Sequence, residues 1–118
     1  MSFVRKETEY YNVAVSDDLS QYLEMYRSLD PIFSTMDDRK LILFVVHKAI
    51  EQNENIYTEE LDLSRNRNVK LKKTSLIAKH FESINEKYRD YGVQISARQY
   101  FHRLVMNYLI ESKKRKTV

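Results

Sequence analysis

A chain of 118 residues with a single glycine, Gly92, and a single proline, Pro31, has few ways to turn sharply. Sandwiches and barrels need turn-forming residues between most pairs of strands, so this scarcity predicts a mostly helical fold. The length suits one domain, or two very small units sharing a core. Cysteine is absent, which excludes disulfides and thiolate metal sites and makes an intracellular setting the easier reading. The opening MSFVRKETEYY has no apolar core of a leader, and the longest apolar run, Leu41–Val46, is far too short to span a membrane. The expected location is therefore cytoplasmic, with no membrane partner.

Two stretches break the helical spacing. In YYNVAVS, Tyr10–Ser16, the residues Tyr11, Val13 and Val15 alternate with Asn12, Ala14 and Ser16. In RNRNVKLKKTS, Arg65–Ser75, the residues Val69 and Leu71 alternate with Asn68, Lys70 and Lys72. A period of two predicts half-buried strands. The second stretch carries five bases, Arg65, Arg67, Lys70, Lys72 and Lys73, and no acid.

Helices fill the rest. Ser16 ahead of Asp17-Asp18-Leu19 is a helix start, and Leu19, Leu23 and Tyr26 form its stripe up to a stop before Pro31. A second helix opens at Ser34 or Thr35, where Thr35-Met-Asp-Asp38 resembles a capping box. Its body, Leu41–Ile50, is apolar on nearly every side and predicts burial all round. Glu51–Ser64 holds five acids and no base, a connector with at most a short helical turn. Ile77, Phe81, Ile84, Tyr88 and Tyr91 then predict a helix over Ser75–Tyr91, ended by Gly92. Ser96-Ala-Arg-Gln99 reads as a capping box for a last helix that buries Tyr100, Phe101, Leu104, Val105, Tyr108 and Leu109.

The organisation is thus an arm (1–9), a strand-helix-helix unit (10–51), an acidic connector (52–64), a second strand-helix-helix unit (65–112) and a basic tail (113–118). The expected fold class is mainly α: two strand-helix-helix repeats joined by a two-stranded antiparallel ribbon. Asn12-Val13-x-Val15 matches Asn68-Val69-x-Leu71, and Leu23 and Val45 match Phe81 and Val105, at offsets of 56, 58 and 60. Charge divides with the halves: residues 1–64 sum to −7 and residues 65–118 to +10. A half so basic attracts polyanions.

The strand NVKLKK, the helix ending YRDYGVQIS and the helix SARQYFHRLVMNYLIES make the chain resemble the ribbon-helix-helix family of Arc/MetJ-like DNA-binding proteins. The likeness is good over Asn68–Glu111 and loose over Tyr11–Glu51. The first strand lacks the basic side chains of the family, and the loop around Pro31 lacks its usual glycine. The resemblance implies a ribbon that enters the DNA major groove. A tandem arrangement, as in conjugation accessory proteins, would build that ribbon within one chain as a pseudo-dimer; otherwise a homodimer would, with higher assembly on DNA open to either. On this reading Asn68, Lys70 and Lys72 face the bases together with Asn12, Ala14 and Ser16, lysine pairing with guanine and asparagine with adenine. Phosphates would meet Arg65, Arg67, Lys73, Ser96 and Arg98 at a helix start, and Lys113, Lys114, Arg115 and Lys116 in the tail. The implied role is a repressor, or a plasmid or mobile-element accessory factor in conjugation or partition. The alternative is a helical protein-interaction module, such as an antitoxin or inhibitor, whose acidic half docks a basic partner.

Nothing in the sequence points to an enzyme or a cofactor. His47, His80 and His102 fall on three different helices, and no pair has the i, i+4 spacing of a zinc site. Asp17/Asp18 and Asp37/Asp38 sit at helix starts, where the helix dipole accounts for them. No nucleophile elbow or phosphate-cradling glycine loop occurs. The nine tyrosines invite base stacking, but Tyr26, Tyr88 and Tyr108 hold apolar helical positions, so core packing is expected.

Overall fold

The computed structural model describes residues 9–116; residues 1–8, most of the expected arm, and residues 117–118 lie outside the described residues. The fold is mainly helical, with five helices and one two-stranded antiparallel sheet among the described residues. In chain order these are β1 (Tyr10–Ser16), α1 (Asp17–Arg27), α2 (Pro31–Ser34), α3 (Asp38–Glu51), β2 (Asn66–Lys72), α4 (Ser75–Arg89) and α5 (Ala97–Lys116). The first strand runs over the residues whose alternation predicts it, and the second begins one residue after Arg65. Among the described residues there is a single strand pair, to which each half of the chain gives one strand.

The register sets Tyr11 opposite Leu71, Val13 opposite Val69 and Val15 opposite Arg67 on one face. Val13, Val15, Val69 and Leu71 are buried, and each such aliphatic side chain contributes about 1.5–3 kcal/mol when removed from water. Beneath this face α3 and α5 pack on each other. α5 also lies on β1 and α1, and α3 on β2 and α4, so each half rests its long helix on the strand and first helix of the other. This interlock means that neither half can complete its core alone.

Local chemistry fixes the helix ends. Ser16 Oγ accepts the amide of Leu19 at 3.1 Å, and Asp17 and Asp18 suit the positive end of α1. Pro31 does not merely stop that helix. It opens the one-turn α2, capped by Asp30, where its missing N–H costs nothing. The expected capping box at Thr35 is not formed, because α2 uses that residue: Thr35 Oγ1 donates to the Ile32 carbonyl at 2.8 Å. Asp37 caps α3 instead, accepting the Lys40 amide at 2.9 Å. Burial of α3 is also less complete than its sequence predicts. Leu41, Ile42, Val45 and Val46 are buried, whereas Leu43 and Phe44 stay half-buried because helices cover only part of the circumference.

α4 differs most from expectation. Thr74 caps it, and Ile77 and Phe81 are buried, but Tyr88 is 43% and Tyr91 79% exposed. The helix ends at Arg89, and past Ile84 it faces an open cleft beside α5 instead of core. Gly92, at φ +73°, turns the chain back in the left-handed region, and the Val93 amide donates to the Tyr88 carbonyl. The connector has no helix of its own. It is clasped to α5 both ways: the Tyr57 amide donates to the Arg103 carbonyl at 3.0 Å, and Arg103 Nη1 donates to the carbonyls of Tyr57 and Glu59. α5 continues through the residues expected to form a basic tail, as far as Lys116.

Candidate nucleic-acid interface

The ribbon's other face carries the pairs Tyr10–Lys72, Asn12–Lys70, Ala14–Asn68 and Ser16–Asn66. Asn12, Asn66, Asn68, Lys70 and Lys72 are exposed on it. Ser16 is not available to read a base. It is 3% exposed, and its hydroxyl is committed to capping α1. Ala14 is fully buried as well, so the first strand offers Asn12 alone from the set expected of it.

Arg98, in the first turn of α5, reaches this face. Its Nε donates to Asn68 Oδ1 at 2.7 Å and its Nη2 to Asn66 Oδ1. The guanidinium therefore orients both amides while adding a positive charge between them. Ser96 caps the helix weakly, accepting the Gln99 amide at 3.4 Å. At the opposite corner two cations meet the Tyr10 ring, Arg39 at 5.3 Å and Lys70 at 5.6 Å from its centre. A shallow cleft of about 290 Å³ joins Tyr10, Arg39, Lys40, Lys70 and Lys72, with Asp37 the one acid on its wall. That carboxylate is engaged by the α3 start. The face thus gathers amides and cations from both halves of the chain.

The remaining basic residues divide. Arg65 is 86% exposed beside Asp17, at 3.9 Å. Lys73 lies over the Tyr11 ring at 4.6 Å, half-buried beyond the end of β2. Arg67 is in phase with the core-facing residues of β2 but stays half-exposed, its guanidinium ion-paired with Asp38 and reaching Ser20 Oγ. Burial works against a charge on Asp38, yet hydrogen bonds from Arg27 and Arg67 outweigh it and hold the carboxyl below its ordinary range. The bases expected of a tail are not brought to the ribbon. Arg115 stands about 25 Å along α5 from Arg98 and pairs with Glu54 at 2.9 Å. Lys113 lies over the Tyr22 ring and Lys114 beside Glu111, with Lys116 one residue beyond Arg115.

Tyr10, Asn66, Arg39 and Lys40 are the members of this surface that sequence reasoning misses, the last two from α3. The signal was there: Asp37-Asp-Arg39 stands at the head of α3 as Ser96-Ala-Arg98 stands at the head of α5. Among the described residues no cluster of His, Asp and Glu could hold a metal ion, and no helix is long and apolar enough to cross a membrane. His102 is fully buried under β1 with its Nδ1 on the Ala14 carbonyl at 2.6 Å, a packing role. Compared with models of protein families, with curated proteins and with solved structures, the chain matches none.

Proposed function

We propose that the chain is two strand-helix-helix repeats sharing one ribbon, and that the ribbon reads double-stranded DNA in the major groove. The observation that carries this is the ribbon's exposed face, where Asn12, Asn68, Lys70 and Lys72 stand flanked by Arg39, Lys40 and Arg98. A two-stranded ribbon fits a groove about 12 Å wide, and lysine and asparagine are donors suited to guanine and adenine edges.

The repeat reading is supported by matched burial. Leu19, Leu23 and Tyr26 of α1 correspond to Ile77, Phe81 and Ile84 of α4 at an offset of 58. Leu41, Ile42, Val45, Val46 and Ala49 of α3 correspond to Tyr100, Phe101, Leu104, Val105 and Tyr108 of α5 at 59, the spacing of the caps Asp37 and Ser96, in place of the offset of 60 that matches Val45 with Val105. At the strand offset of 56, Tyr10 corresponds to Asn66, and Arg39 touches the first as Arg98 touches the second. The pseudo-dyad passes through the pair Val13–Val69. The two halves are unequal, since only the second strand of the ribbon carries lysines, Lys70 and Lys72. The target site is then asymmetric in its contacts, and the role a repressor or an accessory factor on mobile DNA.

A gel shift with a random duplex pool and with the gene's own upstream region tests this across salt concentrations. Four to six phosphate contacts give a slope of log affinity against log salt of roughly −4 to −5, with one sequence enriched from the pool. No shift at low salt refutes the reading and favours a protein-interaction module.

A further inference from the structure

We propose that the cleft between α4 and α5 binds a small planar aromatic carboxylate, its ring taking the position that Phe33 fills in the first half of the chain. The inference rests on the repeat reading above. In the first half the space between α1 and α3 is closed by α2: Phe33 stacks on Tyr26 with ring centres 4.8 Å apart and lies 5.4 Å from Phe44. The residues that correspond to Tyr26 and Phe44 are Ile84 and Arg103. Between α4 and α5 the chain turns through Gly92 with no counterpart of α2, and a cleft of about 560 Å³ is left, lined by both Ile84 and Arg103. That volume is within the range of small-molecule sites.

The walls say what would fit. Ile56, Ile84, Ile95 and the ring of Tyr88 are apolar surfaces for a flat body. Arg103 has its guanidinium fixed by the Tyr57 and Glu59 carbonyls, which presents a planar cation to a ring's face. Tyr100 and His80 form a polar pair at 2.6 Å on the wall, and burial pushes the tyrosine hydroxyl up to about 12 and the imidazole below its usual value, so both are neutral near pH 7. The one acid on the lining, Glu54, is neutralised by Arg115. Lys87, exposed at the rim, is in no ion pair among the described residues. The site therefore carries an excess of positive charge and takes an anion. Its edge includes Ser96 and Gln99, the neighbours of Arg98, so an occupant would bear on the helix end that orients Asn66 and Asn68.

The test is titration of the ¹⁵N-labelled full chain with 1-naphthoate and with its uncharged counterpart 1-naphthamide, followed by amide shifts without DNA. Saturable shifts at Ile84, Tyr88, Ile95 and Gln99 are expected, with a Kd of about 1 mM or tighter for naphthoate. Naphthamide should bind about two- to fivefold more weakly, the worth of one exposed charge pair. Ile84→Trp, which fills the cleft with a ring, should abolish both interactions; Lys87→Glu, a surface change that leaves the core intact, should weaken naphthoate alone. Unsaturable or scattered shifts, shifts centred on the ribbon, equal affinity for acid and amide, or an unaffected Lys87→Glu variant overturn the proposal. Because DNA is absent, failure here leaves the gel-shift result to stand or fall separately.

Discussion

Asp38 holds three elements at one point, and replacing it by asparagine should destabilise the fold by about 2–3 kcal/mol. The carboxylate opens α3 and accepts hydrogen bonds from Arg27 at the end of α1 and from Arg67 on β2. A charged hydrogen bond contributes about 1.5–3 kcal/mol when well buried. The Arg27 and Asp38 side chains are 15% and 23% exposed, so that contact keeps most of its worth; Arg67 is 50% exposed, and its contact is reduced by solvent. Losing the acid from the first turn adds about 0.3–1 kcal/mol through the helix dipole. Against this, Arg27 keeps the Met36 carbonyl and Glu24, which is why the loss stays below that of a stranded buried charge. Urea denaturation of wild type and Asp38→Asn at pH 7 measures the difference. The folded carboxyl titrates below its unfolded value, so the stabilisation is fully present above about pH 4 and lost as pH falls through the folded pKa. The gap between the two proteins should close over that acid window. A gap under about 0.5 kcal/mol at pH 7, or one unchanged at low pH, refutes the reasoning.

Lys70→Ala and Lys72→Ala should each cost about 1–3 kcal/mol on the preferred duplex and less on a scrambled one, measured by fluorescence anisotropy. Lys114→Ala should leave both affinities unchanged, since that residue stands about 24 Å along α5 from Arg98. Ser16→Ala should lower stability by about 1 kcal/mol in thermal or chemical melts, as the loss of a helix cap does. His102 is buried, and desolvation lowers its pKa against the help of the Ala14 carbonyl and Asp18, with Arg103 and Arg98 adding to the fall. Its contribution is thus full above the unfolded value near 6.5 and declines as pH drops towards the folded one. His102→Gln should flatten that part of the stability–pH curve; an equal slope in both proteins would assign the acid loss elsewhere.

Much of this architecture could be read from residue spacing, and the misreadings have identifiable causes. Alternation in Tyr10–Ser16 gave β1 its bounds because each in-phase residue is apolar enough to choose the core. The same alternation sets Arg67 in phase with Val69 and Leu71, so its place on that side was legible too, although its half-exposed guanidinium, paired with Asp38, is not buried with them. Ser16 is both a strand residue and a helix cap; one hydroxyl cannot serve a groove and an amide, and the cap wins because it is local. Thr35 looked like a cap since nothing in the pattern distinguishes a helix start from the end of a single preceding turn. Tyr88 and Tyr91 have helical spacing, but spacing reports a helix's own stripe and not the reach of what lies opposite. The cleft between α4 and α5 is the absence of an insert, which only the comparison of the two halves brings out.

Pairing β1 with β2 inside one chain fixes the molecularity of ribbon formation. Val13 meets Val69, 56 positions later, and the length-dependent part of closing such a loop is about 3.6 kcal/mol. That cost is the same at every concentration. A ribbon assembled from two separate chains loses about 1.4 kcal/mol with each tenfold dilution. This ribbon is therefore as complete at nanomolar as at millimolar protein. Because its strands join the first and middle thirds of the chain, ribbon formation is a slow, first-order, high-contact-order step that waits on synthesis of β2.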